Sequence, residues 1–348
     1  MPPAIVRRPL TVTTWLVLSA LGLVLSPVLL ALAGLASALM RRPQPLILAR
    51  LLIAYFAREF GGLIGCGALW LVSGFGARIR GPRMRRLHYR LLRWYVHGLA
   101  RRVLELLHLD VAAQISPEVA EALERDRPLL FFSRHAGPGD TLLLVDLLEC
   151  GYERLPSVVF KDTLAIDPCI DIIGHRLPHA VLDTSDREEC EARIRQVTAN
   201  LAPRGVLILF PEGGNFTPER RSRALRKLRR KGRRRQAEAA EEMTHVMPPQ
   251  PMGALAALSG NPQADVIFGA HTGLGLAAFP KELWKRTPIG RTLKEKMWLA
   301  PADERPQDRE AQVQWLYDWW RRIDDWVEAQ GEESPVPEVA AGTIRRGE

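Results

Sequence analysis

The chain has 348 residues, 47% of them hydrophobic and 25% charged, with a net charge of +9 and an isoelectric point of about 9.8. That composition excludes a disordered or fibrous chain and leaves room for one large domain plus an appendage. The four cysteines, Cys66, Cys150, Cys169 and Cys190, form no CxxC pair. No disulfide or zinc framework is therefore legible, which suits a reducing compartment. The basic balance favours anionic partners: acidic lipid surfaces, phosphorylated substrates or nucleic acid.

Apolar residues are concentrated at the amino terminus. Residues 11–40 are uncharged and rich in Leu, Ala and Val, with Arg7 and Arg8 before them and Arg41 and Arg42 after. As one helix, such a stretch crosses a hydrocarbon core of roughly 30 Å. A second apolar stretch, residues 45–76, contains Arg50, Arg58 and Glu59 and is followed by Arg78, Arg80, Arg83, Arg85 and Arg86. The leading reading is a two-helix membrane anchor over residues 1–84, with the heavier basic flank holding the rest on the cytoplasmic side of the cell membrane. A hairpin lying in one leaflet fits the internal charges. A cleaved signal peptide ending near Ala31-Leu32-Ala33 has too long an apolar run.

The body, residues 85–330, opens with an amphipathic helix expected over residues 87–109. Leu91, Leu92, Tyr95, Leu99, Val103, Leu106 and Leu107 recur on it at helical spacing. Trp94 and the flanking arginines suit contact with lipid headgroups, or simply form a solvated basic face. Short apolar runs then alternate with helical ones. Strands are expected at 128–132, 156–160, 179–182, 205–210, 265–269 and 295–299, and helices at 141–150, 188–201 and 312–329. This alternation predicts an α/β fold with a mixed, largely parallel sheet flanked by helices. The Glu- and Pro-rich tail, 331–348, reads as disordered.

Two motifs carry chemistry. His135-Ala136-Gly137-Pro138-Gly139-Asp140 follows the first buried strand. Gly and Pro interrupt any helix there, so a tight turn can return Asp140 to the imidazole of His135. A carboxylate on one ring nitrogen fixes the tautomer and leaves the other nitrogen to take a proton from an alcohol. Alternatively, Asp140 simply caps the next helix. The second motif, Phe210-Pro211-Glu212-Gly213, closes an apolar strand at its carboxyl end, where α/β sheets usually place their sites.

Together the two motifs resemble the HX4D and FPEG boxes of the glycerolipid acyltransferase family, which includes the lysophosphatidic acid acyltransferases. The resemblance extends over about residues 85–330. It implies transfer of a fatty acyl group from acyl-CoA or acyl carrier protein to the hydroxyl of lysophosphatidic acid or another lysophospholipid. It also implies a membrane setting and requires no cofactor and no metal. It assigns His135 and Asp140 to catalysis, and Phe210, Pro211, Glu212 and Gly213 to acceptor binding. Lys161 begins a segment resembling the one before the second box. Asp183-Thr184-Ser185-Asp186-Arg187 resembles that box, and Arg187 takes its phosphate-binding place, with a surface ion pair as the competing reading. His245-Val246-Met247-Pro248-Pro249 resembles the fourth box. Two positions depart from the family: Arg134 stands where Asn is usual, and Gly214 where Thr or Ser follows FPEG.

Eleven Arg and Lys residues fall between positions 220 and 235. They suit an anionic membrane or an acidic donor. No aromatic interleaving or binding motif supports nucleic acid. His175 and His179 are separated by Pro178 and lack a third ligand at metal spacing.

Overall fold

The computed structural model describes residues 3–137, 139–274, 284 and 287–331. Pro138 and the tail from 332 lie outside them.

Four helices open the chain: α1 (Ala4–Val24), α2 (Ser26–Met40), α3 (Gln44–Val72) and α4 (Pro82–Leu107). The single crossing expected over residues 11–40 is replaced by two helices bent 64° at Leu25. Pro27 stands in the first turn of α2. Its ring clashes with the carbonyl four residues back, and it has no N–H to donate, so a helix breaks before it. Among the described residues no single helix is long and apolar enough to cross a membrane, and the bent pair passes that test by length and composition only.

These helices are keyed into the body. Arg7 and Arg8 of α1 grip Asp171 at 2.8 and 2.9 Å. The buried Glu59 of α3 accepts from the Tyr95 hydroxyl at 2.9 Å and the Cys169 amide at 3.2 Å. In contrast, α2 buries no residue and exposes Val28, Leu32, Leu35 and Leu39.

The body then alternates β1 (Asp110–Gln114), α5 (Pro117–Glu124), β2 (Leu129–Ser133), α6 (Asp140–Asp146), β3 (Leu155–Lys161), α7 (Pro168–Arg176), β4 (Ala180–Leu182), α8 (Arg187–Ala199) and β5 (Gly205–Leu209). After these come α9 (Pro218–Arg230), α10 (Arg234–Glu242), α11 (Pro251–Gly260), β6 (Asp265–Thr272), β7 (Thr292–Ala300) and α12 (Arg309–Ala329). The seven strands form one sheet in the order β1-β7-β6-β2-β5-β3-β4. Only β6 and β7 pair antiparallel, so the expected mixed, largely parallel sheet is what forms.

Both faces of the central strands are covered. Leu130, Phe132, Leu207, Leu209, Val266 and Phe268 pack under α8, α10, α11 and α12. Leu129, Phe131, Val206, Ile208 and Ile267 pack under α3 to α6. Strands buried on both faces read as unbroken apolar runs, which is why β2 and β5 stand out in the sequence. β1 is exposed at every position and shows no such run, so no strand was expected there.

The parallel register matters most for function. Phe132 of β2 lies beside Leu209 of β5, and Val158 of β3 lies beside Ile208. The segments leaving β2, β3 and β5 therefore emerge together at one edge.

Candidate active site

His135 is the second residue after β2. Its Nδ1 lies 3.0 Å from Asp140 Oδ2. The same oxygen accepts the amide N–H groups of Ala136 at 2.6 Å and Gly137 at 2.8 Å. Asp140 is thus the first residue of α6, and Gly139 holds the cap position without Asp140 capping its own helix. Its carboxylate faces back into the turn, which is the arrangement the fold-back reading requires.

Asp140 is 3% exposed. Burial by itself would raise its pKa. The charges and hydrogen bonds of His271 and His135 override that and hold it well below the usual carboxylate range. The carboxylate is therefore an anion beside His135. The His135 side chain is 21% exposed, so substrate can reach it. Its ring packs on Phe210 with centroids 4.5 Å apart.

His271 was absent from the sequence reading. It lies two residues beyond the strand expected at 265–269, because β6 runs on to Thr272. Its Nε2 is 3.5 Å from Asp140 Oδ2. Burial would lower its pKa, but the Asp140 charge raises it. Two imidazoles therefore share one carboxylate. A strand extended by two residues would have placed a histidine at the carboxyl edge, and that was the available signal.

Glu212 differs most from expectation. Its side chain turns inward and is buried. One oxygen accepts the His135 amide at 3.2 Å and the other the Met247 amide at 3.4 Å. It binds the turn after β5 to the turn after β2 and to the segment resembling the fourth box. Gln250 completes the tie, donating from its side chain to the Glu212 carbonyl at 3.2 Å and from its backbone to the Pro211 carbonyl at 2.8 Å. Gly213 has a φ of 71°, and a Cβ there would come within 2.4 Å of Gln250 Nε2. A side chain is therefore excluded twice, by backbone conformation and by space.

Burial pushes the Glu212 pKa up to about 8, against the opposing charge of Arg134 and the two amide donors. A carboxyl group raised from its ordinary 4.5 contributes stability that is fully present below that value and is lost as pH rises through about 8. Glu212→Gln is expected to flatten this part of the profile: the variant gains stability relative to wild type between about pH 5 and pH 8.5. Urea midpoints across that range measure it. Buried Glu149 is also raised to about 8, but it is common to both proteins and cancels in the difference.

Lys161, at the end of β3, donates to the Gly213 carbonyl at 2.9 Å, so it joins the same turn. Arg187 does not join them. It begins α8 beyond β4, pairs with Glu191 at 3.5 Å and is more than half exposed. The strand before it, β4, is three positions from β2, roughly 14 Å across the sheet. The structure thus unites His135, Asp140, Lys161, Phe210, Pro211, Glu212 and Gly213 and leaves Arg187 on the rim.

His175 and His179 serve the fold. His175 Nδ1 contacts the Asp171 carbonyl at 2.7 Å. His179 Nδ1 accepts the Val158 amide at 2.8 Å, and burial lowers its pKa to about 4. Among the described residues the one group with metal-ligand proximity is His97, Asp146 and Cys150. Burial pushes the Cys150 thiol up to about 12, so a metal there would have to displace its proton.

The edge of a largely parallel sheet thus carries a histidine–carboxylate pair, an arrangement that can hold and release a proton. Residues 114–252 match the model of the Acyltransferase family. That match supports acyl transfer in general. No curated protein matches the chain.

Proposed function

We propose that this protein is a membrane-associated O-acyltransferase. It moves a fatty acyl group from the thioester of acyl-CoA or acyl carrier protein to the hydroxyl of lysophosphatidic acid or another lysophospholipid. The observation that carries this reading is the 3.0 Å contact of His135 Nδ1 with buried Asp140, beside the turn that Lys161 joins. Nδ1 is committed to the carboxylate, which leaves Nε2 to accept the acceptor's hydroxyl proton. The hydroxyl oxygen bonds to the acyl carbon as the carbon–sulfur bond breaks, and the thiolate takes the proton back from the imidazolium. Asp140 orients the ring and stabilises its charge. Lys161 and, further out, Arg187 supply cations for the acceptor phosphate. Glu212 acts from inside, holding the two turns together, and Phe210 stacks against the base.

A membrane setting is supported by the exposed leucines of α2 and by contact of α1 with the active edge. The Trp15 indole donates to the Ile166 carbonyl at 3.2 Å, and the nearby Leu164 and Ile166 are exposed. Apolar surface thus adjoins the turn after Lys161. The bent α1–α2 pair anchors the chain, and the basic flanks place the body on the cytoplasmic side. The exposed basic side of α9 draws an acidic or phosphorylated donor to the site.

Purified protein in detergent, given labelled oleoyl and palmitoyl thioesters of CoA and of acyl carrier protein with a panel of lysophospholipids, is expected to form diacyl product. Thioester cleavage without product would point to a hydrolase. Turnover of no donor would defeat the reading.

A further inference from the structure

Away from the catalytic edge, α3 and α4 enclose a cleft of about 520 Å³ whose walls carry Arg58, Arg90, Arg93, Arg101, Arg102 and Trp94. That size lies within the range of small-molecule sites. It is reached through α6, whose Asp146 holds His97 of the cleft at 2.9 Å. Asp140 stands at the other end of α6, about 9 Å along the helix axis, so this is not the acyl-transfer centre.

The charges are arranged against the interest of the helix. Arg90, Arg93 and Arg101 recur on one face of α4 with His97 among them, and like charges at such spacing destabilise a helix. Arg102 adds a fourth guanidinium, and a fifth is brought in from α3. The Arg58 guanidinium donates to the Trp94 carbonyl at 2.9 Å and lies over the Trp94 ring at 4.4 Å. It occupies the space above Gly98, where a Cβ would sit 1.9 Å from Arg58 Cζ. A glycine therefore admits Arg58 to the cleft, although Arg58 and Arg102 are near enough to repel. The one carboxylate in the walls, Glu105, is already used by Arg101 at 3.0 Å and Arg102 at 3.2 Å. Buried Glu149 also faces Arg93.

Five guanidinium groups around an open cleft focus a positive potential, and their forked donors match phosphate oxygens. Trp94 is 45% exposed, so an aromatic face lines the cleft beside the cations. We propose that the α3–α4 cleft is a phosphate-binding site separate from the acyl-transfer centre, taking the phosphate of an anionic lipid headgroup or of a soluble phosphorylated molecule.

The test uses the full chain and two probes. One is inorganic pyrophosphate, followed by calorimetry. The other is flotation with phosphatidylcholine vesicles, with and without phosphatidic acid. The triple variant Arg90→Gln, Arg93→Gln, Arg101→Gln removes exposed cations. At about fivefold per charge, it is expected to weaken phosphate binding on the order of 100-fold. Gly98→Ala, which displaces Arg58 and keeps every charge, is expected to weaken it several-fold. His135→Ala is expected to bind as wild type does. Loss confined to pyrophosphate assigns a soluble ligand, and loss confined to the acidic vesicles assigns a headgroup. The proposal is overturned if the triple variant binds both probes like wild type, if wild type binds neither, or if His135→Ala abolishes binding.

Discussion

His135→Ala is expected to lower kcat for acyl transfer by about 10³-fold, with KM for both substrates changed little. A positioned general base contributes roughly 10²–10⁴ to such a step. The side chain is partly exposed and stacks on Phe210 at the surface of the site, so its removal should leave the fold intact. Asp140→Asn tests the other half of the pair. Asparagine keeps the shape but not the charge, so the ring loses both its fixed tautomer and the anion that stabilises the imidazolium. The same substitution puts an amide where Oδ2 now accepts from Ala136 and Gly137. A loss of roughly 10²–10³ in kcat is expected, with a measurable loss of stability. Single-turnover kinetics with saturating thioester separates the chemical step from binding. If His135→Ala retained wild-type kcat, the histidine would not be the base.

Arg134→Met carries the largest expected effect on stability. Arg134 is 1% exposed. Its guanidinium donates to the His271 carbonyl at 2.6 Å and the His245 carbonyl at 3.1 Å, and its charge lowers the pKa of the buried Glu212. Methionine matches much of the apolar stem and supplies no donor. Two buried carbonyls would then lose their donor, a loss of about 1–3 kcal/mol for each, while Glu212, its pKa raised to about 8, stays mostly protonated at pH 7. Urea denaturation at pH 7 measures it. At about pH 9, where wild-type Glu212 is ionised, Arg134→Met also removes the cation beside it, so adding Glu212→Gln should recover part of the loss there. The double-mutant cycle should give a coupling above about 1 kcal/mol. Additive effects would mean the two side chains do not work together. Arg134 is thus a buried brace joining β2, β6 and the segment before α11.

The sequence alone determined the parts of this protein that depend on local pattern. Unbroken apolar runs marked β2 and β5, because strands covered on both faces need no polar side. Gly and Pro after β2 marked the turn, which put His135 and Asp140 within reach of each other. The sequence could not say which way Glu212 would face, since an end-of-strand carboxylate reads the same whether it meets solvent or two buried amides. The unbroken apolar composition of residues 11–40 hid the bend at Leu25, although Pro27 marked it. Only the tertiary structure decided that Arg187 stays on the rim while Lys161 joins the site, because strand order sets which loops meet. Only it brought His271 to Asp140 and Arg58 onto Gly98. These partners lie 131 and 40 residues apart in the chain. Periodicity describes one element at a time, while such contacts follow from the pairing of strands and the packing of helices far apart in sequence.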